Sequence, residues 1–450
     1  MDASGSAGRS FQRGASNSAP RERTDAAMRL PETERQAPLA EPALSLPGGV
    51  GLSRWFLRRL ISGITVGRLS VVTPEGERLW SGPAAAGPQA TIVMKRWRAM
   101  RRLLFDGDIG LAEAYRDGDF TTPDLTALIE LGARNDATLR QLVSGAWPAR
   151  LLNRLRHARN DNSRAGSRRN ITAHYDLGND FYRNWLDASM TYSSALYAAP
   201  TDTLEAAQER KLDKVVSMLA LSGGENVLEI GCGWGGLAER LAREGCRVTA
   251  ITLSPSQLAY AQRRITEAGL ADRVELRLQD YRDVAGHYDR IVSIEMIEAV
   301  GRDYWPNYFA ALEHSLAPGG HAVIQAITIH DALFEQYQGG TDFIQRFIFP
   351  GGCLPSVRAL EEAAGCAGLT TIERFDFGDS YAETLREWRR RFLERWPQIA
   401  LQGFDEPFRR LWEFYLCYCE AGFRAGTINV SLVAIGGRQK LPYGPCCRPA

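Results

Sequence analysis

Residues 227–236 read Val227-Leu228-Glu229-Ile230-Gly231-Cys232-Gly233-Trp234-Gly235-Gly236, and Leu237-Ala238-Glu239-Arg240-Leu241 follows. An apolar run breaks into closely spaced glycines and resumes with helical periodicity. The stretch therefore reads as a strand, a tight turn and the start of a helix. Glycine lets the backbone turn sharply and approach a ligand where a Cβ would collide. The helix presents its free N–H groups at the same place. A dinucleotide site would need G-x-G-x-x-G and an acid closing the second strand. Here the spacing is E-x-G-x-G-x-G, and the second strand ends Ile251-Thr252-Leu253-Ser254. A P-loop would need Gly-Lys-Ser/Thr, which is absent. An ordinary glycine-rich strand–helix turn is the bland alternative.

Outward from this turn, strand patterns fall at 226–230, 247–252, 273–278, 290–294, 321–327, 371–377 and 428–435, with helical patterns in most gaps. That alternation marks an α/β fold with a doubly wound, largely parallel sheet and helices on both faces. Glu229, separated from the first glycine by Ile230, is the methyltransferase variant of the turn. Gln279-Asp280-Tyr281 closes the third strand; a carboxylate there accepts the adenine amino group and an aromatic covers the ring. Asp280 as a plain helix cap is the alternative. The expected architecture is the Rossmann-like, seven-stranded sheet of class I methyltransferases, over 171–437.

Upstream, Trp55, Phe56, Leu57, Leu60 and Ile61 form an amphipathic run. The segment 67–79 alternates around Pro74-Glu75-Gly76 and reads as a hairpin, and helical periodicity returns at 94–105 and 123–134. These place a smaller mixed domain at 48–150. Residues 1–47 are rich in Ser, Arg, Ala, Pro and Glu, cannot bury enough apolar surface to offset chain entropy, and are expected to be disordered. Six arginines between Arg154 and Arg169 stand against one acid, Asp161, which reads as a basic linker over 151–170. Residues 438–450 form a C-terminal tail.

The chain has 450 residues, 44% of them apolar, and a net charge of +1. That is length for two cores, without the basic excess of a nucleic-acid binder. No apolar run is long enough to span a membrane. Eight cysteines without a C-x-x-C pair, and only six histidines, read as reduced thiols of a cytosolic protein, with no metal site.

Further runs extend the pattern: His174-Tyr175-Asp176-Leu177-Gly178-Asn179-Asp180-Phe181, Met190-Thr191-Tyr192-Ser193-Ser194-Ala195, and Ile291-Val292-Ser293 with Glu298. So do Phe347-Ile348-Phe349-Pro350-Gly351-Gly352-Cys353-Leu354-Pro355 and Phe423-Arg424-Ala425-Gly426. Together with the glycine turn, they resemble the cyclopropane-fatty-acyl-phospholipid synthase and mycolic acid cyclopropane synthase family. The resemblance covers about 165–437 and extends more weakly to 60–140, which are similar to the N-terminal domain of the phospholipid-acting members.

The resemblance implies methyl transfer from S-adenosylmethionine to the double bond of an unsaturated acyl chain of a phospholipid, giving a cyclopropane ring. The same intermediate leads alternatively to a methylene or methyl branch. Cofactor contacts are implied at Tyr192, Ser193, Glu229, Gly231, Gly233, Gly235, Thr252, Leu253, Gln257, Asp280 and Tyr281. The family also holds a bicarbonate ion as general base; the matching positions are Ser194, Glu298, Gln325, Ile327 and Tyr415. Here the sequence departs: the usual cysteine is Ser194, the usual histidine is Gln325, and the histidine after the glutamate is Ala299. Ser and Gln still donate hydrogen bonds to an anion, so the departures bear on the product rather than on methyl transfer.

The chemistry explains why such groups are needed. An alkene attacking a sulfonium methyl leaves positive charge on the neighbouring carbon. Aromatic faces stabilise that charge, and an acceptor must then take a proton; its position decides between ring and branch. A membrane-embedded substrate also requires docking at the inner face of an anionic membrane. The arginines at 154–169, the set Lys95, Arg96, Arg98, Arg101 and Arg102, and the Trp55–Ile61 run suit that role. A homodimer is compatible with all of this. The rival readings are a methyltransferase acting on another small molecule and a non-catalytic lipid-binding relative.

Overall fold

The computed structural model describes residues 50–82, 85–143 and 177–437. The expected tails, the basic connector and the His174–Asp176 part of its neighbouring motif lie outside the described residues.

Near the N-terminus a helix, Val50–Ser62, precedes a four-stranded sheet of β1 Val66–Val72, β2 Arg78–Trp80, β3 Ala85–Met94 and β4 Phe120–Thr121. The strand order is β2-β1-β3-β4. The hairpin expected around Pro74-Glu75-Gly76 is present, with Ser70 opposite Trp80. Its turn is closed by the Thr73 N–H on the Glu77 carbonyl at 2.8 Å. The helix expected from Met94 begins instead at Arg98, because Met94 ends β3, which pairs in parallel with β1. That helix runs to Arg116 and is broken at Gly107, where φ is +59°.

The second sheet holds β5 Asn226–Ile230, β6 Arg247–Thr252, β7 Val274–Leu278, β8 Tyr288–Ile294, β9 Leu316–Ile329, β10 Leu369–Asp376 and β11 Ile428–Gly437. All seven expected strands are there, in the order β10-β11-β9-β8-β5-β6-β7. β9 starts earlier than the periodicity suggests. The Pro318-Gly319-Gly320 stretch lies in an irregularity of the β8–β9 ladder rather than ending the strand. Only β11 runs against its neighbours.

Burial on both faces of the sheet shows in the side chains. Val227, Val248, Val292 and Val323 face one core, and Leu228, Ile251, Ile291 and Ile324 face the other. This is the alternation expected of strands covered on both sides. The first core continues into the N-terminal sheet and helices, taking in Phe56, Leu69, Ile92 and Leu131. β5 pairs in parallel with both β6 and β8, so successive connections diverge from its C-terminal end. A crevice opens there, as it does at the switch point of other open parallel sheets.

Candidate active site

At that crevice the glycine turn follows β5. Gly231, Gly233 and Gly235 have φ of +86°, +52° and +84°, a region that side chains with a Cβ rarely adopt. The Gly231 and Cys232 N–H groups both donate to the Ile251 carbonyl at 3.0 Å, which ties the turn to β6. A Cβ on Gly231 would meet Met296 and one on Gly235 would meet Ala261, whereas one on Gly233 would point into open space. Gly233 is therefore the position where the backbone lies open to a ligand.

A cavity of about 1620 Å³ begins here and is lined by Tyr192, Ser193, Glu229, Gly231, Gly233, Thr252, Leu253, Gln257 and Tyr281. Ser254 caps the helix Pro255–Glu267, and the Thr252 hydroxyl donates to the Gln257 side-chain carbonyl at 3.1 Å. The Asp280 carboxylate caps the turn at Tyr281–Asp283 and receives Nε and an outer nitrogen of Arg282 at 2.8 and 2.7 Å. Its neighbours Gln279 and Tyr281 line the cavity.

Two carboxylates that face the cavity carry buried oxygens with no hydrogen-bond partner, Glu229 Oε2 and Glu298 Oε2. Burial pushes Glu229 up to about 8, against the pull of the Lys211 ammonium. Lys211 is itself fully buried, is lowered to about 8 by the same desolvation, and donates to Ser193 Oγ at 3.0 Å. Burial also raises Glu298 to about 8, and the charge of Glu295 adds to the rise. One Glu298 oxygen accepts the Ile327 N–H, and the other is buried without a hydrogen-bond partner.

Glu295 is the site residue that the sequence did not single out. It follows β8 with φ of +48°, and its backbone N–H is pinned to the Gln325 carbonyl at 2.8 Å. The half-buried side chain collects three donors: Ser194 N–H at 2.9 Å, Gln325 Nε2 at 2.6 Å and Tyr381 OH at 2.6 Å. Ser194 Oγ donates to the Ala195 carbonyl at 2.9 Å. Tyr415 OH and Tyr192 OH face each other at 2.8 Å. Of the groups that the resemblance assigns to bicarbonate, the Ser194 N–H and Gln325 Nε2 are thus engaged by Glu295, and the Ile327 N–H by Glu298. Ser194 and Gln325 stand behind Glu295; Glu295, Glu298, Ile327 and Tyr415 face the cavity.

Lys211 left a trace in the sequence. It falls at the core spacing of the helix Leu204–Leu219, between buried Ala207, Gln208, Leu212 and Val215, where a lysine is anomalous. Aromatic rings close the far wall: Tyr192 lies within ring contact of Tyr182, Trp185 and Trp388, and Tyr415 of Trp412 and Phe349.

The model of the family described as mycolic acid cyclopropane synthetase matches residues 162–433. The chain belongs to the mycolic acid cyclopropane synthetase family. Tuberculostearic acid methyltransferase of Mycobacterium tuberculosis is 43% identical over 358 residues, 77% of this chain and 83% of that protein. Cyclopropane-fatty-acyl-phospholipid synthase of Escherichia coli is 36% identical over 347 residues, 76% and 86% of the two chains. Among solved structures, the cyclopropane synthase MmaA2 of M. tuberculosis superposes with a TM-score of 0.56 at 32% identity, covering 60% of this chain and 97% of that one. The mycolic acid cyclopropane synthase CmaA1, solved with S-adenosylhomocysteine (SAH), gives the same TM-score at 29% identity, covering 60% and 97%. Like its relatives, this member of the cyclopropane synthetase family is an S-adenosylmethionine-dependent methyltransferase. The open backbone at Gly233 and the orphaned Glu229 oxygen fit that cofactor.

Proposed function

We propose that this enzyme methylates the double bond of an unsaturated acyl chain carried by a phospholipid. The observation that carries the reading is one continuous cavity that joins the glycine turn to the Tyr192–Tyr415 pair, to Glu298 and onward to apolar walls at Ile344, Phe349 and Phe414. Bound S-adenosylmethionine supplies an electrophilic methyl group. The chain's own part is to exclude water, to present Tyr192 and Tyr415 to the developing positive charge, and to accept a proton. Glu298, with one oxygen held by Ile327 and the other uncommitted, suits the acceptor. Expression in a host without such enzymes, followed by mass spectrometry of its lipids, tests the reading. A gain of one methylene unit on unsaturated chains is expected; methylation confined to other molecules would overturn it.

A cyclopropane ring is the product suggested by the family name. A methylene branch is a second reading, favoured by Glu295. Its carboxylate takes up two donors at positions matched to the family's anion site, and this changes the acceptor geometry where geometry selects which proton leaves. The similarity to an enzyme named tuberculostearic acid methyltransferase supports the same reading. Gas chromatography of the methyl esters separates the two products.

Docking on an anionic membrane has support in the helix Val50–Ser62. Val50, Leu52 and Trp55 are exposed, Arg58 and Arg59 are exposed beside them, and the helix carries no acid.

A further inference from the structure

The cavity does not end at the catalytic residues. It continues into the N-terminal sheet and helices, where Phe56, Leu60, Leu69, Ile92, Leu128 and Leu131 line it. None of the six is more than 8% exposed. They are buried apolar side chains that nonetheless border the cavity, in a place where a small domain would ordinarily close its own core. They come from the helix Val50–Ser62, from β1 and β3, and from the helix Leu125–Arg134. A hollow apolar core loses dispersion contacts and costs stability in proportion to its volume. The break at Gly107 also borders the cavity, with Leu103 before it and Leu111 after it among the lining residues. The whole cavity of about 1620 Å³ exceeds the roughly 300–1,000 Å³ of a site for one ordinary small ligand.

We propose that this N-terminal compartment holds the second acyl chain of a diacyl phospholipid while the reacting chain lies between Tyr192, Tyr415 and Glu298. The proposal rests on the acyl-chain reading above and adds to it the form of the substrate. Two chains tethered to one headgroup cannot be treated separately: if one is drawn into the protein and the other left in water, every exposed methylene opposes extraction from the bilayer. An apolar compartment opening off the reacting chain's path removes that cost. The same walls would equally suit the distal end of the reacting chain, and the experiment separates the two.

Full-length enzyme is assayed on a diacyl phospholipid and on the lysophospholipid carrying the same unsaturated chain, both dispersed in detergent. Wild type should prefer the diacyl lipid. Leu128→Trp, with the milder Leu128→Phe as a check on folding, should lower kcat/KM for the diacyl lipid by about tenfold or more while leaving the lysophospholipid unchanged. Equal losses on both lipids would assign the compartment to the reacting chain, and no loss on either would also overturn the proposal. If both variants fail to fold, wild type decides. A saturated diacyl phospholipid should raise its melting temperature more than the corresponding lysophospholipid, because filling the void stabilises the native state; equal shifts overturn the proposal. Turnover of neither lipid by wild type would instead remove the acyl-chain reading itself.

Discussion

Gln325 Nε2 donates to Glu295 Oε1 at 2.6 Å, and the Ser194 N–H meets the same oxygen at 2.9 Å. Two residues matched to an anion site thus hold a carboxylate of the chain itself. That carboxylate is a negative neighbour of Glu298 and one cause of its raised pKa.

Glu298→Gln keeps the shape of the acceptor and removes its charge. Turnover should fall by about a hundredfold or more, with S-adenosylmethionine affinity by calorimetry little changed. Wild-type turnover in the variant would take the proton-accepting role away from Glu298.

The same substitution carries a stability signature in the cofactor-free enzyme. Glu298 is raised from 4.5 to about 8, so the fold favours its protonated form. That contribution is complete below the unfolded value and is lost as pH rises through the folded one. The melting temperature of Glu298→Gln should therefore gain on wild type between those two values and hold a constant lead above them. A lead that shrinks with rising pH would contradict the burial argument.

Glu295→Gln removes a negative charge beside Glu298. Ionising Glu298 then becomes easier, so the acidic limb of the kcat/KM profile should move to lower pH. An unmoved limb in a folded variant would mean that the two carboxylates do not interact.

Gln325→His alters the group that orients Glu295. If Glu295 helps set which proton leaves, the ratio of cyclopropane to methylene-branched esters should change, as read by gas chromatography. A constant ratio would remove Gln325 and its contact from the control of product.

Gly233→Val places a branched side chain at φ of +52°, in the open space at the turn. Cofactor affinity should fall by two orders of magnitude or more, by roughly 3 kcal/mol, with the far-ultraviolet circular dichroism retained. Unchanged affinity would place the cofactor elsewhere.

The central sheet was legible because its signals are local. Glycines at 231, 233 and 235 need positive φ, and the apolar runs at 226–230 and 247–252 coincide with β5 and β6. Glu298 and Tyr415 were marked by resemblance and do face the cavity. Helix periodicity misled at Met94, where pairing with Phe120 of β4 decided the outcome.

Sequence by itself thus determined the strand–turn–helix of the cofactor site, the seven-stranded sheet and the family, since dihedral preference and apolar period act over a few residues. Tertiary structure alone decided which donors Glu295 collects, why Asp280 is taken by Arg282, and where Lys211 is buried. A buried polar group must be satisfied by whatever lies beside it. For Glu295 those neighbours stand far along the chain, at Ser194, Gln325 and Tyr381, and only folding brings them within 3 Å.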